Sequence, residues 1–76
     1  MSVVGYTGAL TFGTRGLAGP GEVRLRIRGG SETYLAWSDE PLPKGTTVLV
    51  VEDLGPRKVH VVAWTEPPVS PGHIAN

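Results

Sequence analysis

Cysteine is absent from the 76 residues. That excludes disulfide staples and thiolate metal sites, and it fits a reducing compartment. An excess of charge is missing too, since seven Lys and Arg balance seven Asp and Glu. No bulk electrostatic drive toward nucleic acid follows from such a balance, although a local patch is compatible with it. No apolar run approaches the roughly 20 residues of a membrane-spanning helix, and Met1-Ser2-Val3-Val4 is too short for a signal peptide. No window carries a helical apolar stripe, and neither repeats nor heptads occur. Catalytic sets are missing as well. The serines lie in a turn, a connection and terminal segments, so His60, a lone strand histidine, has no nucleophile to activate. Asp39 and Glu40 are adjacent and point apart in extended chain, and His73 has no ligand partner. The expectation is a domain without catalytic residues, cofactor, metal or small-molecule substrate.

What the chain does have is punctuation: 11 glycines and seven prolines. Short strands joined by tight turns follow. A chain this short buries only about 60% of its unfolded surface. A stable solution therefore closes the sheet on itself or finds a partner. The clearest strand is Glu22 to Arg28. Val23, Leu25 and Ile27 alternate with Glu22, Arg24, Arg26 and Arg28, which is one buried and one wet face. Three arginines on one face span roughly 13 Å. Two readings of that row stand side by side. It is either a wet face balanced by neighbouring carboxylates such as Glu32 or Glu52, or a surface for an anion or a partner.

The remaining elements follow in order. Val3 to Phe12 reads as a first strand whose Gly5 and Gly8 mark a bend or a close approach. Gly13 to Gly21 is a loop without the Lys-Ser/Thr ending of a phosphate cradle, with Arg15 solvated and Leu17 tucked under the barrel end. Gly29-Gly30 is the expected turn into Ser31 to Trp37. That strand has apolar residues on both faces, Tyr34 and Ala36 against Leu35 and Trp37, so either phase fits. Ser38 to Gly45 is an extended connection with Leu42 as a plug, because Pro41 and Pro43 disfavour a helix. Thr46 to Glu52 is apolar enough to need cover on both faces. A turn over Asp53 to Arg57 leads into the last strand, Lys58 to Trp64, with Val59, Val61 and Ala63 on one face and Lys58, His60, Val62 and Trp64 on the other. Residues 1–66 thus form an all-β, small five-stranded OB-like barrel, and residues 67–76 a flexible tail containing proline and glycine.

Several of these segments carry a resemblance. Gly5-x-x-Gly8, Gly21-x-Val23, Ile27-x-Gly29, Tyr34-x-Ala36-x-Ser38, Pro43-Lys44-Gly45-Thr46-x-Val48-x-Val50-Val51 and Val59-x-Val61 occur in that order. Over residues 5–66 the chain resembles the C-terminal soluble OB-like domain of the NfeD family. The resemblance implies a domain appended, in most members, to transmembrane helices and in longer forms to a serine protease region. It also implies association with stomatin, prohibitin or flotillin-like membrane proteins, and no catalytic residues in this domain. The sequence here carries neither the helices nor the protease region. The implied placement is cytoplasmic, or peripheral at a membrane through a partner.

The expected role is a non-catalytic protein-interaction or assembly module, with self-association as a further option. Its candidate surface is Arg24, Arg26, Arg28, Leu35, Trp37, Val62 and Trp64, because exposed Trp beside Arg is typical of binding hot spots. The alternative is a single-stranded nucleic-acid-binding domain using Arg24, Arg26 and Arg28 with Tyr34, Trp37 and Trp64 as stacking platforms.

Overall fold

Alternation in Val23, Leu25 and their counterparts needs an enclosed space to point into, and five strands supply it. A computed structural model describes residues 2–65. Its strands are β1 (Thr7–Phe12), β2 (Gly21–Ile27), β3 (Gly30–Trp37), β4 (Thr47–Gly55) and β5 (Lys58–Ala63). They close into a barrel in the order β1-β2-β3-β5-β4, the OB-like arrangement. All neighbours are antiparallel except β3 and β5, which run parallel through Leu35↔Lys58, Ala36↔Val59 and Trp37↔His60. Closure is made by β1, whose Gly8 and Ala9 pair with β2 on one side and β4 on the other.

The core is nearly all aliphatic. Leu10, Val23, Leu25, Ala36, Val48, Val50, Val59 and Val61 are each at most 2% exposed. Full burial of each large aliphatic side chain contributes roughly 1.5–3 kcal/mol before chain entropy is counted. Tyr6, Ile27, Tyr34 and Leu42 pack against this cluster, so Leu42 acts as the expected plug. Gly8 shows why β1 needs a glycine. A Cβ there would lie 2.3 Å from the backbone oxygen of Arg24, so β1 and β2 approach too closely for any side chain.

Three boundaries and the placement of Leu17 differ from the sequence expectation. β1 starts at Thr7, not Val3, because Val3 to Tyr6 close a turn through the Tyr6 N–H and the Val3 carbonyl, 3.1 Å, which buries Val3. The β2–β3 turn is centred on Arg28-Gly29, not Gly29-Gly30. Ile27 pairs with Gly30, and Arg28 (φ 43) and Gly29 (φ 79) take the two positive φ values of a type I′ turn. Arg28 thereby leaves the row formed by Arg24 and Arg26. β4 runs on to Gly55 through irregularities between Val50 and Glu52 and between Asp53 and Gly55, which shortens the turn to Pro56-Arg57. Leu17, expected under the barrel end, is 75% exposed. Its loop folds back on itself through Arg15 N–H to Gly19 and Ala18 N–H to Arg15, both 3.1 Å, and holds Leu17 outward. The expected tail at 67–76 lies outside the described residues.

A buried hydroxyl pair fastens that loop. Thr14 and Ser38 are 5% and 2% exposed. The Leu42 N–H donates to Thr14 Oγ1 (2.9 Å), the Thr14 and Ser38 hydroxyls bond each other, and Ser38 Oγ donates to the Glu40 carbonyl (2.6 Å). Every hydroxyl is satisfied, and the loop before β2 is tied to the connection after β3.

Candidate interaction surface

The phase of β3 follows from its partners. Ala36 opposes buried Val59, so it points inward, and Leu35 and Trp37 point outward. Trp37 opposes His60, and His60 opposes Glu52, which makes one outward row across three strands. Glu52 joins that row because of a bulge. Strict alternation from Val48 and Val50 would send Glu52 inward, and the extra residue Val51 reverses it. Two further apolar side chains approach from outside the row. Leu17 comes from the loop before β2, and Leu54 comes from the second irregularity of β4 at 43% exposure. With Asp39 and Lys58 they line an open groove of about 450 Å³ around Trp37 and His60.

His60 organises the polar side of the groove. Its Nε2 lies 3.1 Å from Asp39 Oδ1, and its Nδ1 lies 3.7 Å from Glu52 Oε1. The first is a hydrogen bond and the second an ion-pair distance. The two carboxylates flank opposite ring nitrogens, so no single point is within coordination reach of all three groups. Accordingly, among the described residues no group of three or more His, Cys, Asp or Glu is arranged to hold a metal ion. A groove floored by Trp and Leu and rimmed by charge is equipped for binding a side chain.

The other predicted site residues are distributed around the barrel. Arg24 and Arg26 are exposed on β2, beside an open trough of about 580 Å³ whose remaining lining is Thr7, Gly8, Ala9, Thr11 and Ser31. Neither has a carboxylate within 4 Å among the described residues. Glu32 instead contacts Arg57 (3.6 Å), and Glu52 faces His60. Arg28 sits in the hairpin turn. Val62, opposite Leu49, and Trp64 lie toward the far end of β5, each 38% exposed. Trp64 is held there by its N–H bond to the Thr47 carbonyl, 2.9 Å. Tyr34 is half-buried beneath the Arg57 guanidinium, 5.4 Å from its ring centroid. Arg57 also donates to the Thr33 carbonyl (3.2 Å), so it pins the β4–β5 turn to the middle of β3. Of the seven candidate residues, the fold brings Leu35 and Trp37 onto one face beside the groove, and keeps Arg24 and Arg26 in a separate trough. The groove residues left out of the candidate surface read from sequence are Leu17, Asp39, Glu52, Leu54, Lys58 and His60. Leu54, an apolar residue between Asp53 and Gly55 ahead of a proline turn, was the one local hint.

The profile of the NfeD C-terminal domain matches residues 7–62, which is all five strands but for the last residue of β5. The chain belongs to the NfeD C-terminal domain family. Two solved structures agree with that assignment. The soluble domain of the NfeD protein YuaF from Bacillus subtilis shares 30% identity, over 84% of this chain and 75% of that one, at a TM-score of 0.67. The C-terminal domain of stomatin operon partner protein 1510-C from Pyrococcus horikoshii shares 26% identity, over 84% of this chain and 91% of that one, at a TM-score of 0.64. Among curated proteins none matches the chain. In this NfeD-type barrel no helix of the described residues is long and apolar enough to cross a membrane.

Proposed function

We propose that this NfeD-type domain is a non-catalytic docking and assembly module that acts beside a stomatin- or flotillin-like membrane protein and is held near the membrane by it. The observation that carries the docking reading is the groove, where Leu17, Trp37 and Leu54 converge from three separate elements on one side of the barrel. Large apolar side chains gathered on the surface of so small a domain mark an interaction site. The class of partner is supported by the likeness to the archaeal domain whose name records a stomatin operon partner.

The single-stranded nucleic-acid reading needs cations and stacking platforms on one face. Here no aromatic lines the Arg24–Arg26 trough, Tyr34 lies under Arg57, and Trp37 stands among carboxylates. That separation favours a protein partner. The test is capture of a stomatin-like protein from the same organism by the immobilised domain. Wild type binds it, and Trp37→Ala binds about 30-fold more weakly, the size of a central aromatic hot spot. Absence of capture by wild type, or equal capture by the folded variant, refutes the reading.

A further inference from the structure

The same groove also states the chemistry of what it binds, an inference that rests on its being the docking surface. Its rim holds two carboxylates, Asp39 and Glu52, against one ammonium, Lys58. Both carboxylates are mostly in water, with side chains 73% and 63% exposed. Each uses one oxygen toward His60. Among the described residues Asp39 Oδ2 and Glu52 Oε2 have no hydrogen-bond partner. His60 stands between them, with Trp37 next to it across the β3–β5 pair. The Trp37 ring face attracts cations, and Leu17 and Leu54 of the same groove suit an aliphatic stem. An incoming carboxylate would meet two like charges, and an uncharged polar group would leave the apolar floor unused.

We propose that the Trp37 groove recognises a partner segment in which an Arg or Lys stands between aliphatic residues. The cation docks between Asp39 and Glu52, in part replacing His60 as their partner, with its stem along Trp37. The aliphatic neighbours cover Leu17 and Leu54. Such an occupant satisfies both carboxylates and the apolar floor at once, whereas an acidic segment would satisfy Lys58 alone.

The probes are two blocked pentapeptides, Gly-Leu-Arg-Leu-Gly and its twin Gly-Leu-Glu-Leu-Gly, titrated into the isotope-labelled full chain and followed by amide and indole chemical shifts. The arginine peptide should bind about tenfold more tightly than the glutamate twin, with shifts at Trp37, Asp39, Leu54 and His60. In the double variant Asp39→Asn with Glu52→Gln that preference should fall to less than about twofold. Equal binding of the two peptides, shifts centred elsewhere, no binding at all, or a preference that survives the double variant would each overturn the proposal. Concentration-dependent shifts of the same residues without peptide would also overturn it, by identifying a second copy of the chain as the occupant. These peptides need no membrane partner. Their failure alongside Trp37-dependent capture of the stomatin-like protein would remove this inference and leave the docking function standing.

Discussion

Two outer faces of the same barrel differ in kind. On the β1–β2 face Arg24 and Arg26 stand beside Thr7, Gly8, Ala9 and Ser31, small residues that leave the guanidiniums without carboxylate partners among the described residues. On the β3–β5–β4 face large side chains gather, and two carboxylates, Asp39 and Glu52, contact His60. The inward faces of all these strands are alike, a set of leucines and valines nearly sealed from water. Strand alternation therefore builds the barrel but does not build the groove. Irregular features do: a self-folded loop carries Leu17, two irregularities in β4 deliver Glu52 and Leu54, and the connection after β3 supplies Asp39.

The largest effect is expected beneath the arginine trough. Gly8→Ala places a Cβ against the Arg24 carbonyl and should cost about 3 kcal/mol in urea unfolding, the upper end of overpacking penalties. A neutral Gly8→Ala would mean that β1 and β2 are free to separate there, and that small residues are not required on the arginine face. Next comes Trp37→Ala, about 30-fold in partner affinity, with thermal stability within a few degrees of wild type because the ring lies outside the core. Thr14→Val strands the Leu42 N–H and takes away the hydroxyl that bonds Ser38, which keeps its bond to the Glu40 carbonyl, and should destabilise by about 1.5 kcal/mol. Because Thr14 fastens the loop that carries Leu17, it should also weaken partner binding more than Arg24 or Arg26 substitutions do.

Smaller effects sharpen the comparison. Arg28→Asn should raise stability by about 0.5 kcal/mol, measured by the urea midpoint, since Asn tolerates positive φ better and Asn-Gly suits a type I′ turn. The joint change Arg24→Glu with Arg26→Glu should alter affinity for the membrane-protein partner by less than about threefold by titration calorimetry, because the trough lies off the groove.

The fold was legible because its signals are local. Alternation over Val23 to Ile27, the glycine and proline punctuation, and the apolar run at Val48 to Val51 specify strands and turns within a few residues. The groove was less legible because its residues meet through long-range pairing. Trp37 had an ambiguous phase until Ala36 met Val59 across a parallel pair that sequence spacing does not encode. Glu52 faces His60 only because a bulge inserts Val51, and no composition rule marks that position. Leu17 read as tucked under the barrel end on hydrophobicity alone, whereas the loop's own hydrogen bonds hold it outside, and of the two only Leu42 packs against the core, as the expected plug. The row of three arginines also lost a member, because the register that keeps Leu25 inward puts Arg28 into the turn. Even the carboxylates expected to neutralise that row serve Arg57 and His60 instead.

The central claim is that partners dock at the Trp37 groove and not at the arginine trough. Amide hydrogen exchange of the domain, with and without its stomatin-like partner, tests this most directly, because both faces are read in one experiment. Partner-induced protection should fall on Leu35 to Asp39 and on Glu52 to His60, with Thr7 to Thr11 and Arg24 to Arg26 unchanged. Protection confined to Thr7 to Thr11 and Arg24 to Arg26, with the groove exchanging as in the free domain, would contradict it.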